Sequence, residues 1–175
     1  MNRKRYDVTP DADLHPQFGT FLKMFDDGTR EWTTDLGEVS EDAIVWQPYP
    51  NAHSIGTVML HIADVEASWI QSTIAGQKRS EDELKTFLSK ETDQDGEVWP
   101  TPPRKPLSWY LDHIKQVREK TNQIVRELND PEELRSFGDK YEFTVGWILH
   151  HVITHEAYHG GQAVVLSIQH KNLTS

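Results

Sequence analysis

Gly146-Trp147-Ile148-Leu149-His150-His151-Val152-Ile153-Thr154-His155-Glu156-Ala157-Tyr158-His159-Gly160-Gly161-Gln162 holds four of the nine histidines of the chain. Successive side chains on an α-helix turn by about 100°, so residues three and four apart share a face. Val145, Ile148, Val152, His155, His159, Ala163 and Leu166 trace one such face. The two histidines therefore stand where the period demands core residues, one turn apart, and both can point at the same interior place. Buried imidazoles need hydrogen-bond partners. Two on one face need two partners or one shared divalent metal ion, which helical i, i+4 histidines reach without strain. Hydrogen-bonded core histidines are the plain alternative; the stripe, with a third histidine elsewhere, favours the metal.

Outward from this helix, three more amphipathic segments emerge. Phe18, Phe21, Leu22, Phe25, Trp32 and Leu36 predict a helix over 16–36, closed by Gly37. Ser54 is placed to cap a second helix over 55–75, with Ile55, Val58, Ile62, Val65 and Trp69 as its apolar face and Gly76 at its end. Leu107, Tyr110, Leu111, Ile114, Val117, Thr121, Ile124, Val125 and Leu128 predict a third over 107–128, opened by Pro106. Thr144 caps the fourth, which is expected to reach Gln169. Residues 40–51 hold one helical turn before a proline-bounded loop, and 81–88 a short helix. The 76–105 connection is long for a bundle and reads as a crossover or a lid. Tyr141-Glu142-Phe143 is too short to predict a strand. The expected fold is all-α: one domain over 1–175, a four-helix bundle with a long connection between the second and third helices, and residues 1–14 a loosely held arm.

The phrase from Ser54 to His61 echoes the phrase from Thr144 to His151: a hydroxyl cap, an apolar residue, a glycine, an apolar run and a histidine two turns in. Gly56 and Gly146 would let helices approach closely, and so would Gly160 and Gly161. A net charge of -10 argues against nucleic acid or an anionic membrane as partner. Without cysteine, any metal must be held by histidine and carboxylate. The basic start has no apolar segment behind it, so no secretory signal or membrane span is expected, and the cytoplasm is the expected compartment.

His61, on the inner part of the second helix, joins His155 and His159 as a third candidate ligand. Three protein ligands leave a coordination position for water or substrate. His151 is the rival. His151, His155 and His159 together span about 12 Å along one helix, too far for one ion, so His151 reads as a pocket residue. His15, His113 and His170 read as surface residues, His53 as local to the cap, and Asp64 and Glu66 as solvated, with the orienting of a metal ligand as their alternative role. His155-Glu156-Ala157-Tyr158-His159 also spells the H-E-x-x-H pattern of zinc metalloproteases. Only sixteen residues follow, none of them acidic, and Gln162 and Val165 stand where the extended pattern needs glycine and histidine. Glu156 and Gln162 remain candidate helpers, and Trp69, Trp147 and Tyr158 candidate pocket aromatics.

The phrases Asn51-Ala52-His53-Ser54-Ile55-Gly56, Leu60-His61-Ile62-Ala63-Asp64 with Trp69, and His151 through Gln162 resemble the DinB-like (YfiT-like) metalloprotein superfamily over roughly residues 16–170. The resemblance implies a four-helix bundle with a three-histidine metal site, carried over here as His61, His155 and His159. It implies a homodimer, and in some members a thiol-dependent transferase or isomerase using bacillithiol, mycothiol or glutathione. The expected function is a transferase acting on a small-molecule electrophile, with one divalent ion, zinc or nickel ahead of iron or manganese, and a low-molecular-weight thiol as cosubstrate. A metal-dependent hydrolase and a non-enzymatic, stress-associated metal-binding bundle are the alternatives.

Overall fold

The computed structural model describes residues 6–86 and 101–174. Four long helices dominate: α1 (Pro16–Leu36), α3 (Ile55–Ala67) with its π-helical continuation Ser68–Ile74, α5 (Leu107–Arg126) and α6 (Val145–Thr174). Two short ones, α2 (Glu41–Val45) and α4 (Glu81–Thr86), flank α3 in the chain. α6 packs on α1 and α3, and α5 on α3 and α1, so contacts close a ring around the interior.

Local chemistry sets the ends. Ser54 Oγ accepts the Thr57 N–H at 3.3 Å to start α3, and Thr144 Oγ1 accepts the Trp147 N–H at 3.1 Å to start α6. Both histidine phrases therefore open on a hydroxyl cap, as their shared pattern predicts. Gly37 and Gly76 follow their helices at φ 64° and 65°, where a side chain would be strained.

Three features depart from the sequence expectation. The second helix does not keep α geometry to residue 75. From Ser68 it widens to π, with the Ala75 N–H reaching back to the Ile70 carbonyl at 3.0 Å. Its buried surface is also wider than one stripe: Ile55 through Asp64 are all buried, then Glu66, Ala67 and Ile70, while Val65 and Trp69 are half-buried. And the fold is not purely helical. β1 (Leu134–Phe137) and β2 (Tyr141–Thr144) form an antiparallel hairpin pairing Leu134 with Thr144 and Phe137 with Tyr141. The Arg135 Nε–H donates to the Ile74 carbonyl at 3.0 Å, and Phe137 stacks on Trp69 at 4.8 Å, so the hairpin seats on the π segment.

The N-terminal residues 10–14 lie against the helices: Asp11 pairs with Lys23 and Arg126, and Leu14 packs on buried apolar side chains. The predicted short helix runs over Glu81–Thr86 where described. Most of the long connection, and with it the lid question, lies outside the described residues.

Two apolar clusters fill the interior. One gathers Leu36, Ile44, Ile55, Met59, Ile62, Tyr110, Ile114 and Ala163; the other Phe18, Phe25, Ile70, Val125, Ile148, Leu149 and Val152. On α6, the buried residues between Val152 and Ala163 are His155, Glu156, His159 and Gly160. On α5, Arg118 and Thr121 lie between Val117 and Ile124. The buried polar chemistry is thus inserted between two dry regions.

Candidate functional site

His61 comes from the fully buried face of α3, His155 and His159 from successive turns of α6. All three are buried, at 4%, 4% and 2% exposure. One ring nitrogen from each lies within 4.8 Å of the other two. The Nε2 atoms of His61 and His155 face each other at 3.1 Å, and the His159 ring centroid is 4.7 Å from that of His61. The three candidates from separate parts of the chain therefore converge.

His159 carries the most telling detail. Its Nδ1–H donates to Gln162 Oε1 at 2.8 Å. That bond fixes the tautomer and leaves a lone pair on Nε2. Nε2 is buried and has no hydrogen-bond partner among the described residues. A buried acceptor without a donor is costly, and a metal cation beside two further imidazoles would satisfy it. The donor set, three imidazoles with no thiolate, suits zinc or nickel. Burial pushes His61 down to about 3, aided by the neighbouring His159 and His53. Burial lowers His155 to about 2, with His159 and His61 adding to it. His159 falls to about 4, burial outweighing the opposing bond to Gln162. Neutral rings are what ligation requires.

Gly160 and Gly161 follow the pair and serve differently. A Cβ at Gly160 would lie 2.5 Å from Trp32 Cγ, so the missing side chain lets α1 close on α6. At Gly161 it would meet nothing within 4 Å, contrary to the close neighbour expected there.

The carboxylates lie elsewhere than the sequence suggested. Glu156 is buried, and both its oxygens are engaged. Oε1 accepts from Trp32 Nε1 at 2.9 Å and Thr29 Oγ1 at 2.5 Å, and Oε2 from Arg118 Nη2 at 2.5 Å. Both oxygens thus belong to a network that ties α6 to α1 and α5, unlike the free glutamate that the H-E-x-x-H pattern of proteases needs. Glu66 is not solvated but buried, holding Arg118 through two bonds of 2.8 and 3.0 Å. Asp64 is likewise buried and pairs with Arg79 at 2.7 Å. Arg118 joins Glu66 to Glu156 and rests over Phe25 at 4.1 Å. Its two carboxylate partners hold its pKa above the ordinary value against the opposing effect of burial. Sequence reading missed it, although its signal was present: position 118 lies on the apolar stripe between Ile114 and Thr121.

His151 stays outside the cluster. It stacks on Trp147 at 5.0 Å and meets Trp69 edge-on at 5.2 Å, in an aromatic wall completed by Phe143 of the hairpin. Trp69 and Trp147 are thus packing residues. His53, read as local to the cap, instead hydrogen-bonds Gln162 and so belongs to the surroundings of His159. His15 caps α1, its Nδ1 accepting the Gln17 N–H, and His113 packs on Trp109 at 4.2 Å.

Comparison with known proteins bears on the family and the fold. The family model described as mycothiol S-transferase matches residues 20–168. A DinB-like protein from Bacillus cereus ATCC 10987, known from its crystal structure, superposes with a TM-score of 0.62. That match covers 87% of this chain and 91% of the other, at 19% identity, and so shows a shared fold. No curated protein matches the chain. The span of the family match, most of the chain including all three clustered histidines, and the framework held in common with a DinB-like protein lead to one conclusion: the chain belongs to the mycothiol S-transferase family, within the DinB-like superfamily.

Proposed function

We propose that the protein is a metal-dependent thiol S-transferase, built on a four-helix bundle, in which His61, His155 and His159 hold one divalent ion, zinc or nickel. The observation that carries this reading is His159: its Nε2 is buried without a partner among the described residues, and one nitrogen of its ring lies within 4.8 Å of one nitrogen each of His61 and His155. When bound, such an ion lowers the pKa of a thiol and so supplies thiolate at neutral pH. The chain's own residues do the rest. Burial keeps the three rings neutral. Gln162 fixes the tautomer and orientation of His159. Tyr158 lies over His159 at 4.1 Å and His155 at 5.1 Å, screening the cluster. The net reaction joins a low-molecular-weight thiol, of the mycothiol kind, to an electrophilic carbon. An S–C bond forms, the bond to the leaving group breaks, and the thiol proton is released.

The test is elemental analysis of native protein beside His61→Ala, with conjugation assays across mycothiol, bacillithiol and glutathione. Wild type should carry metal and conjugate at least one thiol, and the variant should lose both. Equal metal content in the two proteins would sink the reading. Metal without conjugation, accompanied by ester or amide turnover, would favour hydrolysis; metal with no turnover would favour a non-enzymatic bundle.

A further inference from the structure

Beside the histidine cluster runs a surface groove of about 570 Å³, within the size range of small-molecule sites. Pro48 and Tyr49, from the loop after α2, form one wall, and Tyr158, Val165 and Leu166 of α6 another. Gly161 leaves open space between them. His53 and Gln162 add polar groups to the lining. Two contacts join groove to cluster: the bond of Gln162 to His159, and the packing of Tyr158 on His159 and His155.

The lining has a definite chemistry. None of its residues is Lys, Arg, Asp or Glu. A charged ligand arm would lose water there and gain no ion pair, and an anionic one would meet a chain of net charge -10 besides. Among the lining side chains only His53, Gln162 and the two tyrosine hydroxyls offer hydrogen bonds, and the Gln162 Oε1 is already used by His159. Meanwhile Tyr49, Tyr158 and Val165 leave 67%, 48% and 53% of their surface to water, so an apolar guest gains by covering them.

We propose that this groove receives the uncharged aromatic or alkyl arm of the electrophile, while the polar thiol approaches the cluster from elsewhere. This rests on the S-transferase reading and adds a substrate class to it.

Gly161→Leu tests it, because a Cβ there meets nothing within 4 Å, so the side chain starts in the open space of the groove, and the change removes a helix-weakening glycine. Val165→Glu is the second variant, placing a charge on the wall at an exposed position. The probes are p-nitrobenzyl alcohol, neutral and unreactive, and p-(hydroxymethyl)benzoate, its anionic counterpart, followed by saturation-transfer NMR. Wild type should bind the neutral probe, and each variant should weaken it by about tenfold or more, as loss of a buried aromatic contact requires. Metal content should be unchanged and the anionic probe should bind poorly throughout. Equal binding of the two probes, no binding of the neutral one, or neutral binding unaffected in both variants would overturn the proposal.

Conjugation of p-nitrobenzyl chloride, in which a C–S bond replaces the C–Cl bond and chloride and the thiol proton are released, separates the two readings. Failure of conjugation with probe binding intact and variant-sensitive removes the transferase and keeps the groove. Conjugation with binding indifferent to the variants does the reverse.

Discussion

At the scale of single residues, neighbouring glycines and one glutamine make sharply different predictions. Gly160 abuts the Trp32 ring, whose Nε1–H is tied to Glu156 and which therefore cannot retreat freely. Gly160→Ala should cost about 1–3 kcal/mol, the usual penalty for overpacking, whereas Gly161→Ala should be neutral or stabilising by up to about 1 kcal/mol. Urea unfolding of the two variants checks this; equal effects would mean that α1 and α6 are not in close contact at Trp32. Gln162 acts through His159. Its replacement by leucine removes the acceptor that holds the Nδ1 proton, and metal affinity should fall about 10–100-fold, as loss of an outer hydrogen bond to a ligating imidazole does elsewhere. Competition against a chromogenic chelator measures it, and Gln162→Glu, which keeps an acceptor, should retain most of the affinity.

At the scale of elements, Arg118 links α5 to α1, α3 and α6 through Thr29, Glu66 and Glu156. Truncating it leaves two buried carboxylates without their cation, so Arg118→Met should cost about 3–5 kcal/mol. In a Glu66→Gln background the same change should cost less. A double-mutant cycle by chemical denaturation reads the coupling, and strict additivity would show that the pair does not act together. This network also marks what the sequence displayed and what it hid. The starts of α1, α5 and α6 were legible because apolar side chains recur at helical spacing and hydroxyl or proline residues stand there, whereas α6 runs to Thr174, past the expected Gln169, and α5 stops at Arg126, short of residue 128. The convergence of His61 with the α6 pair was legible for the same reason, since each occupied a position that its helix must bury. The roles of Glu66 and Glu156 were not: the one read as solvated and the other as a helper of the metal, because neither shows its cation until Arg118 is found on another helix. The hairpin was hidden by its shortness: most of its eight residues are exposed, so no alternation of apolar and polar side chains announces it. The π widening of α3 is a change of hydrogen-bond register, and composition carries no sign of that.

At the scale of the whole molecule, the polar layer lies between two apolar clusters, and this arrangement makes stability depend on pH. His61, His155 and His159 are held at about 3, 2 and 4 in the fold, against about 6.5 in an unfolded chain. Below pH 6.5 the unfolded rings take up protons that the folded rings refuse. The unfolded state then binds more protons, so stability rises with pH in this window and is lost as pH falls. His53 and His151, also lowered by burial, add in the same direction. Paired carboxylates act in the same direction but at lower pH: Glu83, held near 2 chiefly by Lys120, contributes mainly below its ordinary value of 4.5. The metal-free protein should therefore lose on the order of 1 kcal/mol per clustered histidine for each pH unit below 6.5. Its Tm should drop steadily from pH 7 to pH 5. A metal held as proposed would bind only the folded, deprotonated site, so added zinc should raise Tm most at pH 7 and progressively less toward pH 5, as protons compete for the same nitrogens. His155→Leu removes one of the titrating rings and should flatten the metal-free profile. A Tm unchanged between pH 7 and 5 in metal-free wild type would mean that the rings protonate in place, and a cluster able to do that would be too wet to be the buried three-imidazole site on which the functional reading depends.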